Sequence, residues 1–453
     1  MRSGSPSRGP WSLSTSAPPS APAASEPGGG GAGGYGRSAA IVSLGFGATG
    51  IVTFAFFALA SHALSHSKYG AISLLWSVVF ATTSVLYRPV EQLLSRTIAD
   101  REARGVTGNE HLRVAAIIQL ALAAVFVVVA LALRTPLEDL FNGATTLYWV
   151  LVASVPAYAA SYFARGYLAG HRWFGLYVAL VFLESTSRCA LALAAVIGIA
   201  HGQAVVALGI LAGPLVSLSV VPWALGRHVR TSSTVEAEPQ RAAAEGAEFT
   251  LAHGAGFAVA VLVIMIAEQT FLNAGPLLVK ATEGAAGAAL AGFAFNVLLI
   301  ARVPLQLFQA IQTTILPHLT RLSATGESDP FRRSVTVTLR AIALFAAAVA
   351  LGMLVLGPFL MHLVFGGHYG RLGLVAVSVG MGFYLSAATL NQAALARGWT
   401  TNASVRWVVA AAGFVVFLVI PMGTSKVTQV ELGYLFGSAL LCGLLYELYR
   451  RTG

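Results

Sequence analysis

Six ionisable side chains interrupt stretches of sequence that are otherwise apolar: Arg88, Glu91, Glu184, Arg188, Glu268 and Arg302. A charge at the middle of a membrane helix costs about 2.5–3.5 kcal/mol on insertion scales, so such residues tend to face a partner or a cavity. Arginine stays protonated and presents a fork of N–H donors that matches phosphate or carboxylate oxygens. Arg88, Arg188 and Arg302 are therefore candidates for binding an anion. Glu91, Glu184 and Glu268 are candidates for ion pairing, or for taking up a coupling cation or proton. Spacing sorts the six. Arg88 and Glu91 are three residues apart and Glu184 and Arg188 four apart, so each couple shares a helix face and can neutralise itself. Arg302 has no acidic neighbour at helical spacing. Its nearest intramolecular partner is Glu268 on the preceding apolar segment, placed nearer the outer side. Arg302 is thus the strongest single anion candidate. No metal-ligand cluster is visible, and no catalytic residue, metal or cofactor is assigned.

The elements that must position these charges are membrane helices. The chain is 56% hydrophobic and 10% charged, with a mean hydropathy of +0.74; soluble domains carry roughly a quarter charged residues. Spanning the hydrocarbon core takes about 20 apolar residues. Twelve stretches qualify: 39–62, 70–94, 112–133, 146–168, 176–199, 204–225, 250–272, 287–312, 335–357, 372–396, 404–421 and 429–448. The polar, mixed-charge segment 226–249 separates six from six, so the reading is an all-α membrane protein of two six-helix lobes around a central cavity. The organisation is a disordered tail 1–37, a first lobe 38–225, the linker, a second lobe 250–449 and a short tail 450–453. The two cysteines lie in apolar stretches and imply no disulfide framework.

The net charge of +10 comes almost wholly from arginine, because the chain has only three lysines. In a soluble protein that balance would point to nucleic acid; in this chain it sorts by membrane side, and no nucleic-acid partner is assigned. Arg96, Arg101, Arg104, Arg165, Arg172, Arg227, Arg230 and Arg397 fall in alternate connections, away from Lys68, Arg134, Lys280 and Lys426. The positive-inside rule then places both termini in the cytoplasm of a multi-pass cell-membrane protein.

The halves carry faint internal repeats. "YRPVEQLLSRTI" (87–98) stands beside "ARVPLQLFQAIQTTI" (301–315), and "YLAGHRWFGLYV" (167–178) beside "ALARGWTTNASV" (394–405), aligning Leu168 with Leu395. The segment "SRTIADREARG" (95–105) has the acid and arginines of a major-facilitator loop but lacks both of its glycines. Four ordered stretches carry a better resemblance: "HSKYGAISLLWSVV" (66–79), "YFARGYLAGHRWFGLYVAL" (162–180), "AGFAFNVLLIARVPLQLFQAIQTTILPHLTRL" (291–322) and "LNQAALARGWTTNASVRW" (390–407). With these the chain resembles the multidrug/oligosaccharidyl-lipid/polysaccharide flippase superfamily, and within it the polysaccharide-transporter (Wzx-type) branch.

The resemblance implies alternating access and movement of undecaprenyl-pyrophosphate-linked sugars from the inner to the outer leaflet of a bacterial inner membrane. It implies membrane lipid and glycan-assembly enzymes as partners. Lipid II flippases of the same superfamily usually have fourteen spans, against twelve in this chain. One alternative is a multidrug antiporter, which needs acidic more than basic cavity residues; the apolar segments hold both in equal number. A membrane glycosyltransferase or glycan ligase would need a large outer domain, and the predicted outer loops are short.

Overall fold

The structure is a computed structural model that describes residues 31–105, 108–224, 226, 251–302, 304–305 and 328–452. The first thirty residues, nearly all of the linker, and the predicted junction of the eighth and ninth spans lie outside the described residues. The described chain is helical, with no strand among the described residues. The spanning helices are α1 (Gly31–Ala63), α2 (His66–Ala103), α3 (Glu110–Ala132), α4 (Thr145–Gly170), α5 (Phe174–Val196) and α6 (Gln203–Ser217). The second set is α7 (Leu251–Glu283), α8 (287–302), α9 (Ser328–Phe365), α10 (Arg371–Ala396), α11 (Thr400–Val419) and α12 (Lys426–Thr452). A seven-residue helix, Arg134–Leu140, caps the α3–α4 connection.

Eleven described stretches are long and apolar enough to cross a membrane, and one of them, Val259–Arg302, runs for 44 residues. At 1.5 Å per residue that is about twice the ~30 Å hydrocarbon thickness. The 3-10 turn Gly284–Ala286 divides it into α7 and α8, which brings the passes to twelve. α7 extends to Glu283, well beyond the predicted end at 272, and takes Lys280 out of a loop and into the helix. α1 begins at Gly31, inside the stretch read as tail. Pro89, Pro156 and Pro214 sit inside unbroken helices rather than at breaks.

Large apolar side chains on α3 and α9 are turned outward, among them Leu120, Val128, Leu344, Leu351 and Phe359. Only a hydrocarbon surrounding tolerates so large an apolar surface. The core side chains lie between helices, and the packing partners recur. In the first lobe α5 packs on α1 and α6, and α4 on α3 and α6. In the second α11 packs on α7 and α12, and α10 on α9 and α12. Each second-lobe partner is the first-lobe one advanced by six helices, so the repeat is a repeat of tertiary structure.

Its register differs by one residue from the sequence alignment. Thr145 and Arg371 open α4 and α10, and Phe174 and Thr400 open α5 and α11; both couples are 226 positions apart. The α4–α5 and α10–α11 turns match hydrogen bond for hydrogen bond: Trp173 N donates to Leu168 O and Trp399 N to Ala394 O, each at 2.9 Å. The turn needs a left-handed residue just before the tryptophan. Gly398 supplies it at φ 78° without strain, whereas Arg172 at φ 57° bears a Cβ in a region L-residues disfavour. The match makes Leu168 equivalent to Ala394.

The lobes meet at one end of the molecule. Tyr69 on α2 donates its hydroxyl to Asn296 Oδ1 on α8, and Asn296 Nδ2 donates to Tyr369 at 2.9 Å. Lys280 bonds Asn142 across the seam. Phe54 on α1 meets Phe365 edge-on with centroids 5.2 Å apart. α2 and α8 cross at Gly70: a Cβ there would lie 1.7 Å from Ala288 O, so only glycine permits the approach. These contacts close the bundle at the end that carries the α1–α2 and α7–α8 turns.

Candidate substrate-binding cleft

Beyond that closure, α1, α2, α7 and α8 line a narrow central cleft, of which about 40 Å3 has room for water. α1 contributes Gly50, Thr53, Phe54 and Phe57, and α2 Trp76, Phe80 and Arg88. α7 contributes Glu268, Gln269 and Leu272, and α8 Leu299, Arg302 and Leu305. The polar lining residues Thr53, Arg88, Glu268, Gln269 and Arg302 thus form a polar strip among apolar and aromatic neighbours. Trp76 and Phe80 stack with centroids 5.7 Å apart and give one wall an aromatic face.

Arg302 is buried, 8% exposed. Its Nη2 donates to Leu272 O and, at 2.9 Å, to Asn273 Oδ1. Its guanidinium carbon lies 4.5 Å from the centre of the Phe295 ring. Its Nε is buried without a hydrogen-bond partner among the described residues. None of these contacts is a carboxylate. The sequence pointed to Glu268 as its partner. In the structure Glu268 lines the same cleft as Arg88, one from each lobe. Glu91 accepts a bond from Tyr177 Oη at 3.0 Å.

Arg188 does not reach the cleft lining. Glu184 sits 3.5 Å from its Nη2, and its other bonds go to Tyr158 Oη at 3.3 Å and Ser185 Oγ at 3.0 Å. Its packing on Trp76, 4.3 Å from the ring centre, and its bond to Ser185, which in turn accepts from Thr53 at 3.4 Å, link it to the cleft. Glu184 has a second cation, Arg165, and accepts from Tyr158 Oη at 3.1 Å and Ser161 Oγ at 3.3 Å. The triad Arg165–Glu184–Arg188 fills the interior of the first lobe. Sequence reasoning placed Arg165 in a connecting loop; α4 carries it, 12% exposed, five residues before the helix ends. Its match to Glu184, 19 residues away on another helix, leaves no periodic trace.

Two other residues were missed. Asn273, 1% exposed, carries the contact to Arg302 and reads in the sequence as one polar residue in an apolar helix. Glu431, 5% exposed on α12, lies against Gly373 at the start of α10. Asn391 accepts from Trp407 Nε1 at 3.1 Å, an interhelical bond within the second lobe. The side chain of His253 lies outside the described residues. Among the described residues no three His, Cys, Asp or Glu side chains gather as a metal site would need.

The fold recurs in solved transporters. The fold is that of the multidrug and lipid II transporters. An inward-facing multidrug resistance MATE family transporter of the MOP superfamily superposes with a TM-score of 0.65 at 12% identity, over 91% of this chain and 98% of that one. The Vibrio cholerae MATE transporter VcmN in its bent form gives 0.58 at 15% identity, over 92% and 98%. The lipid II flippase MurJ in an inward closed conformation gives 0.66 at 12% identity, over 91% and 87%. No protein-family model matches the chain, and no curated protein matches it in sequence. The likeness is therefore one of fold, shared by transporters and a flippase, which are not enzymes in general.

Proposed function

We propose that the protein flips a polyprenyl-pyrophosphate-linked sugar, of the undecaprenyl class, across a bacterial inner membrane by alternating access. The observation that carries this is Arg302: a buried guanidinium on the cleft wall that, among the described residues, bonds neutral oxygens and has no acceptor for its Nε–H. A diphosphate entering the cleft would find that charge together with Arg88, against one carboxylate, Glu268. The aromatic wall of Trp76 and Phe80 suits the apolar C–H face of a sugar ring. With both termini in the cytoplasm, the closed end is the outer one, and the cleft receives its load from the inner leaflet. Arg188 acts from behind Trp76 rather than by touching the load. Enzymes of glycan assembly would supply and consume the lipid.

The test is inversion of a fluorescent undecaprenyl-pyrophosphate sugar in liposomes. Arg302→Ala should slow inversion at least tenfold while Arg302→Lys retains part of the rate. An unchanged rate in Arg302→Ala would remove the anionic reading.

A second reading, export of organic cations against sodium or protons, draws support from Glu268 in the same cleft. Under that reading Glu268→Gln abolishes resistance to cationic dyes on expression. Under the flippase reading the same substitution leaves dye tolerance untouched, because Glu268 then serves as the counter-ion of Arg88.

A further inference from the structure

We infer that Asn273 sets the charge preference of the cleft, by holding Arg302 in position without neutralising it. This rests on the reading of Arg302 as an anion site and names a residue that makes it one.

Asn273 and Gln269 lie one turn apart on α7 and are both buried. The Asn273 amide nitrogen donates to Gln269 O at 3.1 Å and to Gln269 Oε1 at 3.0 Å. With both N–H bonds committed, the amide cannot rotate, and Oδ1 is fixed as the acceptor facing α8. That oxygen receives Arg302 Nη2 at 2.9 Å. The guanidinium is thereby fixed on the Phe295 ring, and its charge stays uncompensated.

The first lobe shows the alternative solution. There Arg165 and Arg188 are held by a carboxylate, Glu184, and neither is available to an incoming anion. Asparagine and aspartate have the same shape, so at position 273 the choice between them decides only charge and donor capacity. An aspartate would still accept from Arg302, and Gln269 could turn its own amide to donate to it. The fold would be kept and the cation of the cleft cancelled. Asn273 does not meet the load itself; it is a positioning residue acting through Arg302.

Binding to the purified full-length protein in lipid nanodiscs tests this, with inorganic pyrophosphate and tetraphenylphosphonium as the two probes. Wild type should bind pyrophosphate, and Asn273→Asp should weaken that binding at least tenfold while tetraphenylphosphonium binds more tightly. Gln269→Leu frees the amide without adding charge and should cost less, two- to fivefold, with no gain for the cation. A merely structural role would weaken both probes together. If Asn273→Asp gives no folded protein, Gln269→Glu replaces it: the acceptor for Asn273 is kept and a carboxylate is placed on the cleft wall, so pyrophosphate binding must again fall. Pyrophosphate affinity equal to wild type in either acidic variant overturns the inference. No pyrophosphate binding by wild type overturns instead the anion reading on which it rests.

Discussion

The two lobes present the same helical frame around opposite interiors. Advancing by 226 positions carries Tyr158 to Tyr384, Arg165 to Asn391, Glu184 to Ala410 and Arg188 to Phe414. Where the first lobe buries a carboxylate between two guanidiniums, the second buries aromatic rings. Phe271 stacks on Phe414 with centroids 5.1 Å apart, and Tyr384 and Trp407 meet edge-on at 5.9 Å. An ion triad in a bilayer is held by partner and geometry; a ring cluster is held by shape. The frame therefore tolerates either, and its backbone hydrogen bonds do not depend on the filling. The charge near the cleft is distributed accordingly. The first lobe holds Arg165 and Arg188 on a carboxylate, and the second holds Arg302 on neutral oxygens at the cleft between the lobes.

The largest expected effect strikes the triad. Glu184→Leu leaves two guanidiniums without their carboxylate, and breaking a buried pair in this way costs roughly 3–5 kcal/mol. The measurement is thermal unfolding in detergent. Ala410→Leu, at the equivalent position of the second lobe, adds volume to a packed site at a cost of about 1–3 kcal/mol. Equal losses at the two positions would break the comparison.

A sharper test uses the equivalent tyrosines. Tyr158 Oη donates to Glu184 and accepts from Arg188, and bonds to charged groups are worth about 1.5–3 kcal/mol. Tyr384 Oη is buried with no hydrogen-bond partner among the described residues. Tyr158→Phe should lower the unfolding midpoint, whereas Tyr384→Phe should leave it unchanged or raise it, since removing an unsatisfied polar atom relieves a desolvation cost. A midpoint that falls alike in both variants would mean that Tyr384 has found a partner.

The smallest effect belongs to Asn391, the counterpart of Arg165. Asn391→Leu leaves the buried Trp407 Nε1–H without its acceptor, at a cost of about 1–3 kcal/mol that drops toward the low end if the indole turns to another partner. The tryptophan's emission should change more visibly than the protein's stability. An unaltered spectrum would show that the indole is oriented by the surrounding rings alone.

Much of the frame was legible in the sequence. Twelve apolar stretches, the polar interruption between six and six, and the short connections follow from hydropathy and length, because lipid admits only helices with their backbone bonds closed. The boundaries failed where amphipathic ends continue a helix past its apolar part, as from 272 to Glu283 in α7. The turn at Gly284–Ala286 is also silent in hydropathy, since small residues are nearly neutral on such scales. The repeat was visible as faint similarity, but its register could be set only by the hydrogen bonds of the two turns, where Arg172 and Gly398 take the same backbone conformation.

The candidate site divides in the same way. Residue type and depth alone marked Arg88, Arg188, Arg302, Glu91, Glu184 and Glu268, because a charge in an apolar helix has few permissible surroundings. The Glu184–Arg188 couple was readable from its four-residue spacing. Which charge meets which beyond one helix was not: Arg165 joins Glu184, Glu268 shares the cleft with Arg88, and Arg302 turns to Asn273. The chain by itself determined that this protein crosses a membrane many times and carries ions inside it, since composition and period govern insertion helix by helix. The tertiary structure alone decided which of those ions meet a carboxylate and which, like Arg302, rest on neutral oxygens. Partnership depends on how helices distant in sequence are rotated and set against each other, and no local pattern encodes that rotation.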